Sequence, residues 1–250
     1  MNLTDRVAIV TGSANGIGRG TALRLAQAGA TVCVNDRKDA DRGEEVVRTI
    51  KDAGGDAFFH FADVTIEDEV NGLVCAVLSR RHKIDILVNN CGVSGAGKTF
   101  CTITGDDWDR MLTANTKGTF LTTQAVMPHM IEAHYGKIVN IASTAGTGSI
   151  VTANAHYAAS KGAIVSFTRR MARDFASHGI TVNSVAPGFI HDTGFNENAS
   201  DEKVAHYTAQ IPMGRPGYVK DCCGIIAFLC SEEADFITGQ IIVVDGGATC

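Results

Sequence analysis

What the chain lacks narrows its reading first. No apolar run approaches the roughly 20 residues of a membrane-spanning helix. There is no basic tail, and the 250 residues carry a net charge of −5, so nucleic-acid binding has no electrostatic support. The opening Met1-Asn2-Leu3-Thr4-Asp5-Arg6 has no signal-peptide core and runs straight into an apolar segment. No Pro/Ser linker, low-complexity tract or repeat divides the chain, which predicts a single domain over 1–250 with a sizeable core. A cytoplasmic protein is the expectation. Among the eight cysteines, none forms Cys-x-x-Cys and no nearby histidines complete a zinc pattern, so no metal site is expected. Most of them, Cys33 in an apolar strand and Cys222, Cys223 and Cys230 in an apolar helix among them, read as small buried hydrophobes in a reducing compartment.

What is present is a regular alternation of strand and helix patterns. Strands are predicted at Val7–Val10, Thr31–Val34, Asp56–Phe61, Ile84–Val88, Lys137–Ile141, Thr181–Val185 and Gln240–Val244. Helical patterns fall between them, including a long one over Asp106–Ala133 and another ending near His178. Continuously apolar strands alternating with helices predict a seven-stranded parallel sheet covered on both faces, a doubly wound α/β domain. The stretch from Thr193 to about Pro216 is polar and weakly patterned, and is the candidate substrate flap (193–216).

Two regions carry chemistry. Thr11-Gly12-Ser13-Ala14-Asn15-Gly16-Ile17-Gly18 follows the first strand and opens the first helix. Glycines there permit a tight turn and close backbone approach to a diphosphate, and the helix N-terminus offers free N–H groups. Asp36 ends the second strand, where a carboxylate would accept bonds from the adenosine ribose hydroxyls and repel a 2′-phosphate. That favours NAD over NADP, although the neighbouring Arg37 could pair with such a phosphate. Further along, Tyr157 and Lys161 stand four residues apart on one helix face. A cation near a phenol eases removal of its proton, and Ser143 offers a hydroxyl to hold a substrate oxygen beside it.

Together these motifs resemble the short-chain dehydrogenase/reductase family, over nearly the whole chain. Thr11-Gly12-x-x-x-Gly16-x-Gly18 is similar to its dinucleotide turn, with Ser13, Asn15 and Ile17 inside it. Asp63-Val64 resembles its adenine-contacting pair. Asn89-Asn90-Cys91-Gly92 resembles its Asn-Asn-Ala-Gly motif, with Cys91 in place of Ala. Pro187-Gly188-Phe189-Ile190 resembles the segment at the nicotinamide, and Gly239-Gln240 and Val244-Asp245-Gly246-Gly247 the C-terminal signature. The resemblance implies a Rossmann fold and a tetrad of Asn115, Ser143, Tyr157 and Lys161. Tyr157 would be the acid/base, and Lys161 would lower its pKa and bond the nicotinamide ribose. Ser143 would orient the substrate, and Asn115 would hold a water in a relay to Lys161. Cofactor contacts are implied at Gly12, Ser13, Asn15, Gly16, Ile17, Gly18, Asp36, Arg37, Asp63, Val64, Asn90, Gly92, Tyr157, Lys161, Pro187, Gly188, Ile190 and Thr193.

Two departures from that pattern stand out. Ser143 precedes Tyr157 by 14 residues, one more than is usual, and Thr144 sits at the shorter spacing; Asn140-Ile141-Ala142-Ser143 favours Ser143. Asp192 stands where a threonine is usual, with Thr193 one later. The resemblance runs closest to 3-oxoacyl carrier-protein reductase-like and hydroxysteroid dehydrogenase-like members. It implies interconversion of a secondary alcohol and a ketone, on a hydroxysteroid, bile acid or other cyclic alcohol, or alternatively on a 3-oxoacyl thioester. A dinucleotide-sensing protein without turnover and a scaffold subunit are the rival classes, and the intact tetrad argues against both. A homotetramer is implied, with the helices of 106–133 and 154–178 at one interface and the C-terminal strand at another. His129 and His134 read as a solvated helix end, His156 as a cleft wall without chemistry, and Asp106-Asp107 as a helix start.

Overall fold

Seven short strands with apolar side chains on both faces form one parallel sheet: β1 (Val7–Val10), β2 (Thr31–Asp36), β3 (Asp56–Phe61), β4 (Ile86–Asn89), β5 (Gly136–Ile141), β6 (Ile180–Pro187) and β7 (Ile241–Val244). Their order is β3-β2-β1-β4-β5-β6-β7. The computed structural model describes residues 1–95, 97–148, 153–196 and 199–250. The helices are α1 (Gly16–Gln27), α2 (Ala40–Asp52), α3 (Glu67–Arg81), α4 (Gly105–Leu112), α5 (Gly118–Ala133), α6 (Ala155–Phe175), α7 (Asp201–Thr208) and α8 (Val219–Leu229).

The alternation of side chains along each strand splits the core in two. Ala8, Val10, Val32, Val34, Ile86 and Val88 pack with Leu25 of α1, Val46 of α2 and Ile226 of α8. Val7, Ile9, Cys33, Leu87 and Ile138 pack on the opposite face with Leu73 of α3, Val126 and Met130 of α5 and Ala172 of α6. The sheet is thus wound on both sides. The chain's direction of travel reverses between β1 and β4, and the crevice at that switch point lies at the carboxyl ends of the strands.

Polar side chains tie the strands together beneath that crevice. Asn89 donates to the Asn140 Oδ1 at 2.9 Å, and Asn140 donates to Thr168 Oγ1 of α6 at 2.9 Å. Thr122 of α5 donates to Asn89 Oδ1 at 2.6 Å. These groups are buried, and each bond replaces one to water that folding removes.

The structure departs from the sequence reading in four places. β4 begins at Ile86 rather than Ile84, because the Asp85 carboxylate accepts from Val7 N at 2.8 Å and pairs with Arg6 and Lys83. The long helix expected over 106–133 is interrupted by a π turn, Thr113–Lys117. A helix, α7, lies within the expected flap, capped by Ser200 Oγ accepting from Lys203 N at 3.3 Å; residues 197–198 of that flap lie outside the described residues. Of the eight cysteines, all with free thiols, Cys33, Cys222, Cys223 and Cys230 are buried as expected, but Cys75, Cys101 and Cys250 are exposed. Among the described residues no helix is long and apolar enough to cross a membrane.

Replacing Asn140 by Ala strips one acceptor from Asn89 and one donor from Thr168. Chemical denaturation should show a loss of about 2 kcal/mol, from the bonds and the unpaired groups left behind. A loss below about 0.5 kcal/mol would mean that the network does not bear on stability.

Candidate active site

The turn after β1 is held open by main-chain geometry. Gly12 and Gly16 have φ of +60° and +53°, in the left-handed region. A Cβ at Gly18 would stand 2.4 Å from the Gly12 carbonyl oxygen, so only glycine lets α1 start this close to the strand. Asn90, just past β4, stitches the turn from the other side. Its Nδ2 donates to Thr11 O at 3.0 Å and Gly12 O at 2.9 Å, and its N–H donates to Thr11 Oγ1 at 3.0 Å. The turn's exposed backbone thus faces a cleft of about 1200 Å³, which runs from Asp36 across the strand ends to Tyr157. An open backbone cradle at a helix N-terminus, with a carboxylate at the next strand end, fits a dinucleotide.

Most of the residues expected at the cofactor line this cleft: Gly12, Asn15, Gly16, Ile17, Asp36, Arg37, Asp63, Val64, Asn90, Gly92, Pro187, Gly188, Ile190 and Thr193. Ser13 and Gly18 do not. Ser13 is fully buried, its hydroxyl donating to Val10 O at 2.7 Å, and Gly18 is buried against Gly12. Arg37 is partly exposed but not unpartnered: it pairs with Asp63 at 2.5 Å and helps hold that carboxyl below its usual range. Asp36 Oδ1 accepts from Lys38 N at 2.9 Å. The structure also separates Asp192 from Thr193. Asp192 turns away to accept from Val219 N at 2.7 Å, one of the unpaired N–H groups at the start of α8. Thr193 instead packs beside the Gly16 turn, with its hydroxyl donating to Ile190 O at 3.2 Å.

At the other end of the cleft, Ser143, Tyr157 and Lys161 come together from β5 and α6. Ser143 starts a short turn whose Gly146 lies so close to α6 that a Cβ there would stand 2.4 Å from the carbonyl carbon of Lys161. That contact fixes the distance between the serine and the helix; the loop in which a one-residue insertion is expected includes residues 149–152, which lie outside the described residues. Burial raises the Tyr157 phenol, and interaction with the Ser143 hydroxyl partly offsets this. Ser143, not Thr144, is therefore the hydroxyl that meets the phenol. Lys161 is buried; its Nζ donates to Ile141 O at 2.8 Å and lies 5.9 Å from the Tyr157 ring centre. Burial lowers its ammonium to about 8. Burial is the largest influence on the phenol, and the Lys161 ammonium stands over its ring.

Asn115 does not face the cleft. It sits on the π turn with its Oδ1 accepting from Val93 N at 2.7 Å and its Nδ2 donating to Val93 O at 3.1 Å and Ser160 Oγ at 3.0 Å. Its amide pins the segment after β4 to α6. Gly92 fills the gap between, where a Cβ would lie 3.0 Å from Asn115 Oδ1 and 3.5 Å from Lys161 Nζ. His156 is one layer behind the cleft wall rather than on it, with its ring against Gly95. Asp107 is the helix start expected: it forms a capping box with Thr104 at the head of α4. Sequence reasoning missed the substrate-end lining. That lining includes Lys98 and Phe100 after β4, Phe195, Lys203 and Tyr207 on the 193–216 segment, and Thr249 near the C-terminus. The Ser200-Asp201-Glu202 run ahead of α7 was the available signal for that helix.

A doubly wound sheet, a Gly-rich dinucleotide cradle and a Ser/Tyr/Lys centre in one cleft define an oxidoreductase that uses a nicotinamide dinucleotide, and the chain belongs to the short-chain dehydrogenase/reductase family. A family model described as enoyl-(acyl carrier protein) reductase matches residues 12–249. Among curated relatives, the chain is 39% identical over 247 residues to (2S)-[(R)-hydroxy(phenyl)methyl]succinyl-CoA dehydrogenase subunit BbsD of Thauera aromatica, covering 99% of this chain and 98% of the relative. It is 39% identical over 241 residues to 3-oxoacyl-[acyl-carrier-protein] reductase FabG of Staphylococcus aureus, covering 96% of each. Among solved structures, a gluconate 5-dehydrogenase from Burkholderia cenocepacia, in complex with NADP and tartrate, superposes with a TM-score of 0.91 at 35% identity, covering 99% of this chain and 96% of the other.

Tyr157→Phe should remove nearly all turnover while leaving dinucleotide binding intact, since only the phenol oxygen is lost. Stopped-flow rates and fluorescence titration check the two halves, and near-normal kcat would overturn the role of Tyr157. Lys161→Ala should weaken both rate and dinucleotide affinity.

Proposed function

We propose that the protein interconverts a 3-oxoacyl thioester and its 3-hydroxyacyl counterpart with NAD as hydride carrier. The observation that carries the chemistry is the Tyr157 phenol beside Ser143 at the inner end of the cleft. The bound nicotinamide supplies the hydride to the carbonyl carbon, or takes it back in the reverse direction. Tyr157 gives the carbonyl oxygen its proton and recovers it on oxidation. A phenol raised by burial is protonated at neutral pH, which suits it to the donor role. Ser143 holds the same oxygen. Lys161, with Ile141 O as its hydrogen-bond partner, keeps donors for the nicotinamide ribose, and Asn115 fixes the segment that carries Gly92.

The thioester substrate is supported by the two relatives at 39% identity, one a 3-oxoacyl reductase and one a dehydrogenase of an acyl-CoA. The hydroxysteroid reading has no such support. NAD is supported by Asp36 at the end of β2 and by the capture of Arg37 by Asp63, which takes up the guanidinium that, among the described residues, lines the cleft beside Asp36. A homotetramer in the cytoplasm completes the reading. Exposed Trp108 and Phe120 on α4 and α5 support one interface, and exposed Phe236 and Val243 near β7 the other. Sedimentation of a monomer at micromolar concentration would overturn the assembly.

Cofactor choice is tested by kcat/KM with NADH and NADPH. The parent should prefer NADH by about tenfold or more, as expected for like charges opposed in a cleft. Asp36→Ala should lose that preference. A parent that prefers NADPH would mean that Arg37 leaves Asp63 for the phosphate and that the assignment to NAD is wrong.

A further inference from the structure

Charge is divided along the cleft. Among the described residues, its acidic lining residues, Asp36, Asp39 and Asp63, sit at or just past the ends of β2 and β3, which form one side of the sheet. The substrate end, on the far side of Tyr157, has no lining carboxylate among the described residues but has two lysines. They are not equivalent. Lys98 is paired with Asp107 at the head of α4, and its carbonyl accepts from the Asn154 side chain, so its charge is neutralised and it shapes the lip. Lys203 meets no carboxylate among the described residues. Its Nζ donates to Asn196 Oδ1 at 3.1 Å, and Asn196 in turn donates to Ile190 O at 2.9 Å. The ammonium is thus tethered to the β6 end of the cleft with donors to spare.

The helix that carries Lys203 is anchored in this orientation. Tyr207, one turn later on the same face of α7, stacks on Phe189 with ring centres 4.6 Å apart and planes 7° apart. Both Lys203 and Tyr207 line the cleft. Phe100 and Phe195 line it too, yet remain 78% and 52% exposed, so apolar surface is left open in the same cleft as the Lys203 ammonium. A neutral polyol would leave both features unused.

We infer that Lys203 is the anion-binding residue of the substrate end, receiving a phosphate or carboxylate on a substrate whose apolar part lies on Phe100 and Phe195. This rests on the thioester reading and sharpens it: the substrate is an amphiphilic anion. The anion has two sources, the phosphate of a pantetheine carrier or a carboxylate on the acyl chain itself. An ammonium with one neutral partner attracts either, at a strength set by partial solvent screening.

The test compares the NADH-dependent reduction of three substrates: acetoacetyl-CoA, the uncharged N-acetylcysteamine thioester of the same acyl group, and an N-acetylcysteamine thioester whose 3-oxoacyl chain ends in a carboxylate. Lys203→Ala should lose about five- to tenfold in kcat/KM, mostly through KM, on whichever anionic substrate uses the site. It should lose much less on the uncharged thioester, and Lys203→Arg should restore the anion. Loss confined to acetoacetyl-CoA names the carrier phosphate, and loss confined to the carboxylate-ended chain names the acyl anion. Equal losses on charged and uncharged thioesters, or no loss on either anion, would overturn the inference. If no thioester is reduced by the parent, the thioester reading fails, and binding decides the anion site separately. Titration of the dinucleotide-loaded protein with 4′-phosphopantetheine and with glutarate should then show one of them bound more weakly by Lys203→Ala, and unchanged affinity for both would overturn it.

Discussion

A buried cation with no carboxylate beside it among the described residues is the constraint around which the site is built. Lys161 is held inside the protein with Ile141 O as its hydrogen-bond partner, and its ammonium is lowered to about 8 by desolvation. Removing an ion from water costs several kcal/mol even after relaxation. The hydrogen bond to Ile141 O offsets part of that cost, and close packing keeps water out: Gly146 lies against the Lys161 main chain and Gly92 near its Nζ. Because the approach at Gly146 leaves no room for a side chain, the Ser143 turn cannot drift relative to Lys161 without moving β5 or α6.

The same logic extends under the sheet. Asn89, Asn140, Thr122 and Thr168 bond strand to strand and strand to helix beneath the crevice, and Asn115 repeats the device one layer up, tying Val93 to α6 through Ser160. Neutral amides and hydroxyls serve better here than ion pairs would. They satisfy buried polar groups without adding another charge to be desolvated next to Lys161.

Local features were legible in the sequence and partner choices were not. The parallel sheet followed from seven apolar runs, and the face shared by Tyr157 and Lys161 followed from helical spacing alone. The glycines of the first turn were readable because only glycine relieves the contact at Gly18. Arg37 was ambiguous because its partner, Asp63, lies 26 residues away on another strand end. The π turn at Asn115 could not be read because it depends on Val93 and Ser160 meeting across three elements. Asp192 and Thr193 were interchangeable on paper until α8 supplied an N–H for one of them to accept. Helix α7 was read as a flap because its apolar spacing is weak, although its cap was in plain view. Lys203 and Phe195 went unnoticed for the same reason.

The zero-clearance contacts also divide the molecule into a part that resists change and a part that welcomes it. A methyl group added at Gly18 or Gly146 would collide with main chain, so the turn after β1 and the Ser143 turn tolerate no side chain there. The rim after β4 and the segment around α7 carry exposed side chains on surface loops, where substitution costs little stability. Substitutions there would therefore reshape the mouth of the cleft while leaving the close-packed block beneath it in place.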